Sequence, residues 1–120
     1  MTDLELLIRA ARAIGATDYA GPDDCSPPGV KFLNGVPTNY EGHGEWGYAW
    51  NPSANDDEAL RLAVQLHIDL QFDDPPGHVT TLAVNPRSLC CTGKTVELAP
   101  DPQAAVRHAI VVTAAALAPQ

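Results

Sequence analysis

The residues best suited to metal binding or nucleophilic chemistry are His43, His67, His78 and His108, together with Cys25, Cys90 and Cys91. A zinc site drawn from His43, His78, Cys90 and Cys91 would need tetrahedral convergence. No C-x-x-C spacing prepares for it, and adjacent cysteines on a strand point to opposite faces. A cysteine nucleophile needs a histidine base within hydrogen-bond reach and a site for the oxyanion. His78 could sit on a strand next to the cysteines, but nothing in the spacing fixes that geometry. Surface histidines with one buried and one exposed thiol is the simpler expectation.

The carboxylate pairs are Asp23-Asp24, Asp56-Asp57 and Asp73-Asp74. Asp56-Asp57-Glu58 is explained by a helix start, where negative charge offsets the dipole. Asp73-Asp74 precedes Pro75-Pro76 and reads as a turn. None has divalent-metal spacing. Gly93-Lys94-Thr95 has the ending of a phosphate-binding loop, but the glycine that must come five residues earlier is Ser88, so that motif is set aside. No catalytic residue, metal ligand or cofactor is assigned, and an enzyme is not expected.

Tyr40, Trp46, Tyr48 and Trp50 form the cluster that bears on function. In Trp46-Gly47-Tyr48-Ala49-Trp50, large and small residues alternate, which on a strand puts both tryptophans and Tyr48 on one face. Asp23, Asp24, Glu41 and Glu45 would ring this patch. Tryptophan and tyrosine dominate interface hot spots, and an acidic rim steers a basic partner. The competing interpretation is that these rings cover the edge of the core beneath a long loop.

The elements that position these residues follow from periodicity. Residues 2–15 predict a helix with Thr2 as N-cap and Glu5 at capping-box spacing; Leu4, Leu7, Ile8 and Ala11 make its apolar stripe, and Gly15 stops it. Glycine and proline breakers across 16–45 predict a loop-rich, irregular segment, with a short strand around Lys31-Phe32-Leu33 and Val36 turning at Asn34-Gly35. Asn55 or Ser53 caps a second helix that ends near His67. Its stripe is Ala59, Leu62, Ala63 and Leu66, widened by Leu60 and Val64, so both sides should be covered. Ile68, Leu70 and Phe72 alternate with polar residues as a strand, 74–77 as a turn, and 78–84 as a second strand. Leu89-Cys90-Cys91 predicts a short strand or bulge, Thr92-Gly93-Lys94 a turn, and 95–98 a third strand. Asp101-Pro102 opens a final helix. Val106, Ala109, Ile110, Thr113 and Leu117 share one face of it, with Ala105, Val112 and Ala116 on the next. This order predicts one α+β domain over residues 1–120: an antiparallel meander with three helices packed on it, sandwich-like, carrying one irregular Gly/Pro-rich insertion.

At 120 residues with 45% apolar composition, the chain suits one globular domain. Its 15 acidic and 7 basic residues give a net charge of −8. That balance opposes direct binding to nucleic acid or anionic membranes and suits docking on a basic protein surface. The acidic N-terminus and the lack of a long apolar run predict neither export signal nor membrane span. An odd cysteine count with two adjacent fits a reduced cytoplasm; a Cys25–Cys90 or Cys25–Cys91 bridge is the alternative.

Trp50-Asn51-Pro52 followed by Asp56-Asp57-x-Ala59-Leu60-Arg61-Leu62-Ala63-Val64 resembles a segment of small proteins encoded by phages and prophages. Pro102-x-Ala104-Ala105-Val106-Arg107-x-Ala109-Ile110 resembles their closing helix, and Asp3-Leu4-Glu5-Leu6-Leu7 their opening one. Together, over residues 2–15 and 46–118, these resemble the phage ABA-sandwich domain family. The resemblance implies a phage origin and helices covering an antiparallel sheet, with no general activity. The expected function is accordingly a non-enzymatic, phage-derived binding protein in a bacterial cytoplasm. Its specific form would be an anti-defence, anti-CRISPR-like inhibitor that occupies a basic host surface through Asp23, Asp24, Tyr40, Glu41, Glu45, Trp46, Tyr48 and Trp50. The alternatives are a nucleotide-signal binder using Arg87, Lys94 and Arg107, and a phage assembly protein. Oligomeric state is left open, a homodimer included.

Overall fold

Capping chemistry sets the helix boundaries. In the computed structural model, which describes residues 2–21, 23, 25–73, 77–86 and 88–119, α1 (Asp3–Ala13) starts where the Thr2 hydroxyl accepts from the Glu5 amide at 3.2 Å. It ends at Ile14, where Gly15 takes a positive φ and the Ala16 amide reaches back to the Ala11 carbonyl at 3.0 Å. Asn55 caps α2 (Asp56–Leu66) by accepting from the Glu58 amide at 3.0 Å, and left-handed His67 closes it. Asp101 caps α3 (Pro102–Ala116), with proline at the first turn.

Seven strands form two sheets among the described residues. The first is β1 (Thr17–Asp18), β2 (Gly29–Leu33), β3 (Val36–Gly42) and β4 (Glu45–Ala49), in that spatial order. The second is the antiparallel meander β5 (Asp69–Phe72), β6 (His78–Val84) and β7 (Cys91–Glu97). The fold is therefore α+β, with three helices and largely antiparallel sheets.

The segment read as loop-rich contributes β1, β2, β3 and the turn into β4. The Asn34-Gly35 turn is present, both residues at positive φ, and it pairs β2 with β3 over Leu33↔Val36 to Gly29↔Tyr40. The many glycines mark turns between strands: Gly35, Gly42 and Gly44 all lie at positive φ beside strand ends.

The C-terminal half of helix α3 is buried over most of its circumference. Ala109, Val111 and Ala114 are fully enclosed, and Ile110, Thr113, Ala115 and Leu117 are buried. Its alanines let the other elements approach closely, which is why Val111 joins the core although it falls outside both expected stripes. One cluster unites Ala10 and Ala11 of α1, Phe32 and Trp50 from the first sheet and its exit, Leu62 of α2, Ala83 of β6 and Ile110 of α3. Between β6 and α3 lies a polar contact: the Thr81 and Thr113 hydroxyls bond each other, and Thr81 Oγ1 also accepts from the Lys94 amide at 3.1 Å.

Three local expectations are corrected. Thr92-Gly93-Lys94 is not a turn but the middle of β7, because Gly93 runs extended and lacks the Cβ that would strike the Thr81 carbonyl of β6. Leu60 and Val64 are not covered; they are 58% and 67% exposed, Leu60 standing at the wall of an open groove with Phe72 and Val106. Neither Cys90 nor Cys91 is buried: both precede or open β7 at the rim of the sheet, and Cys91 pairs with exposed Val84. All three thiols are free, so no Cys25 bridge forms. The expected turn at 74–77 lies mostly outside the described residues.

Candidate functional site

The four aromatic residues do not share a face. Cross-strand pairing puts Thr38 opposite Ala49 but Tyr40 opposite Trp46, so two steps along β3 match three along β4. This bulge interrupts the alternation that would have aligned Trp46, Tyr48 and Trp50. Gly47 sits inside it, and the Glu41 carboxylate occupies the space where a side chain at Gly47 would stand. A glycine within a strand pattern is the sequence signal for such a break.

The rings are thus sent to three environments. Trp50 turns into the main core, 6% exposed, its amide donating to the Pro37 carbonyl at 3.2 Å. Tyr40 is 1% exposed and Trp46 half-buried; their centroids lie 4.9 Å apart at 61°. Tyr19, which the sequence reading did not single out, completes this second cluster edge-on to Trp46 at 5.0 Å. Lys31 is buried beneath it, its ammonium 5.8 Å from the Tyr40 ring centroid and donating to Thr17 Oγ1 at 3.3 Å. The Tyr40 hydroxyl accepts from the Gly44 amide at 3.1 Å, which ties the β3–β4 turn to the cluster. Tyr40 and Trp50 are therefore structural; burial removes them from any contact surface.

Tyr48 is the opposite case. Its side chain is 91% exposed on β4, an edge strand, while Asn39 Nδ2 holds its carbonyl at 3.0 Å. Asn39 Nδ2 also donates to Glu58 at 3.4 Å, so the backbone beneath Tyr48 is tied to α2. Glu45 is exposed at the start of the same strand, and exposed Glu41 lies against Gly47 beside it. Asp23 is exposed in the β1–β2 connection; Asp24 lies outside the described residues. The β4 backbone, tied to Asn39, thus presents one projecting phenol on a strand that also carries exposed Glu45 and a half-buried indole, with Glu41 packed against Gly47.

The alternative chemistries find little geometry. Pairing of His78 with Glu97 and of Val84 with Cys91 puts His78 and Cys91 at opposite ends of the β6–β7 ladder. Six residues of strand separate them, roughly 20 Å, so they cannot act as a base–nucleophile pair. Among the described residues no group of three His, Cys, Asp or Glu side chains converges for a metal ion. Arg107 is engaged, bonding the Ser53 carbonyl at 3.0 Å and Asp56 at 2.6 Å. Arg87 lies outside the described residues, and Lys94 is exposed on β7. No helix among the described residues is long and apolar enough to cross a membrane.

Comparison with protein-family models, with curated proteins and with solved structures gives no match to this chain.

Proposed function

We propose that this chain is a non-enzymatic binding protein that occupies a basic surface on another protein. The observation that carries this reading is Tyr48, a tyrosine held almost wholly in solvent on a backbone-anchored edge strand beside Glu41 and Glu45. Exposing a large ring gains nothing for folding, whereas tyrosine at a desolvated interface contributes area and a hydroxyl partner together. The net charge of −8 adds steering toward Lys/Arg-lined surfaces. The narrower form is an anti-defence inhibitor of phage origin, anti-CRISPR-like, whose carboxylates compete for a nucleic-acid channel. It draws on the charge and on the resemblance of the 50–64 and 102–110 segments to phage ABA-sandwich domains.

The test is recovery of the tagged chain from a bacterial host at low salt, with partners identified by mass spectrometry. A stoichiometric partner should bind more weakly as ionic strength rises past the point where surface charges are screened. Tyr48→Ala should reduce its binding by about 30-fold or more, and the Glu41→Lys/Glu45→Lys pair should abolish capture. Binding that ignores both salt and these substitutions would refute the proposal. A nucleotide or other small molecule recovered in place of a protein would favour the ligand-binding alternative.

A further inference from the structure

Among the described residues, the second sheet carries another unpartnered surface, separate from Tyr48 and independent of it. Strand β5 is a sheet edge. The Asp73 amide donates to the His78 carbonyl at 3.2 Å, in the same register as Gln71↔Thr80 and Asp69↔Leu82. Antiparallel ladders alternate, so Asp69, Gln71 and Asp73 turn their main-chain groups toward β6. Leu70 and Phe72 then point their amides and carbonyls outward, away from the sheet. Against that edge runs an apolar groove of about 400 Å³ between α2 and α3, walled by Leu60, Leu70 and Phe72 and backed by Val106 and Ile110. Leu60 and Phe72 are each 58% exposed there. The opposite face of β5 is acidic and exposed, with Asp69 and Asp73 on either side of Gln71.

We propose that β5 receives an extended segment of another protein as an added antiparallel or parallel strand, and that this segment alternates apolar residues with lysine or arginine. The outward amides and carbonyls of Leu70 and Phe72 supply the main-chain pairing. Side chains of the added strand on the Leu70/Phe72 face enter the groove; those on the other face meet Asp69 and Asp73, where positive charge is favoured. A second copy of this chain is disfavoured in the register that pairs all of β5 with itself. Self-pairing centred on Gln71 sets Asp69 of one copy against Asp73 of the other, and like charges directly opposite are destabilising.

The test titrates the ¹⁵N-labelled full chain with a short blocked peptide alternating lysine and valine. Controls are the same composition in two blocks, and the alternating peptide N-methylated on every amide that would face β5. The alternating peptide should slow hydrogen exchange at the Leu70 and Phe72 amides. Both controls should bind about tenfold more weakly or not at all. Asp69→Lys/Asp73→Lys, on the exposed face, should also weaken binding about tenfold, and Phe72→Ser should do so through loss of the groove wall. Their amide spectra will show whether each variant retains the fold. Equal binding of the N-methylated peptide, or no protection at Leu70 and Phe72, would overturn the proposal. So would a concentration-dependent dimer that itself protects those amides.

Discussion

Gly93→Ala puts the β6–β7 register to a direct test. A methyl group on Gly93 would collide with the Thr81 carbonyl oxygen, with that carbonyl carbon 3.2 Å away and Leu82 Cα 3.5 Å away. All three obstacles are main chain, so no side-chain rotation relieves the overlap; the strands must separate at the centre of the sheet. Overfilling a packed site costs ~1–3 kcal/mol. Separation there also strains the bonds that Thr81 makes to the Lys94 amide and to Thr113, at about 1 kcal/mol for one hydrogen bond lost. Replacing glycine restricts the unfolded chain and offsets ~0.4–1 kcal/mol. The net expectation is a loss of about 1–3.5 kcal/mol, a sizeable part of the ~5–15 kcal/mol typical of a folded domain. Urea unfolding followed by far-UV circular dichroism reads this as a lower midpoint at unchanged slope. Gly29→Ala is the control: it lies on β2 with no atom within 4 Å of the added carbon, and should be neutral or gain up to ~1 kcal/mol. Equal midpoints for the two variants would refute the reasoning, because the main-chain clash at Gly93 requires a loss that open Gly29 does not share.

Two further substitutions probe the helix positions. Thr113→Val keeps the shape of a buried side chain but removes the hydroxyl facing Thr81, and should cost about 1 kcal/mol; a more stable variant in the same unfolding assay would show that the hydroxyl pair contributes nothing. Asn55→Ala removes the cap that accepts from the Glu58 amide, and should cost about 1 kcal/mol with early amide exchange confined to the first turn of α2. Uniform exchange across the chain would instead mean that the cap acts on the whole fold.

Much of the local architecture was legible from residue types alone. Thr2, Asn55 and Asp101 cap the three helices, and Asn34-Gly35 turns a hairpin, because each acts on backbone groups a few residues away. The alternation over 78–84 likewise gives a strand, since one face must reach the core whatever covers it. The candidate site was only half legible. Exposed Tyr48 with Glu41 and Glu45 survives as a surface, whereas Tyr40 and Trp50 are buried and serve packing. Their separation depends on a bulge at Gly47, which is set by how β4 pairs with β3 and by the Glu41 carboxylate beside it. Leu60, Val64 and Phe72 have apolar side chains that the tertiary structure nonetheless leaves open, because burial depends on how closely distant segments approach, and Leu60 and Phe72 only wall an open groove. Gly93 shows the same division from the other side: the residue type signals a break, and only the approach of the Thr81 carbonyl makes it a strand centre. The sequence thus determined helix caps, tight turns and strand periodicity, since these are satisfied within a few residues. Tertiary structure decided register, which rings face solvent and which apolar faces lack a cover, since each depends on contacts between segments far apart in the chain.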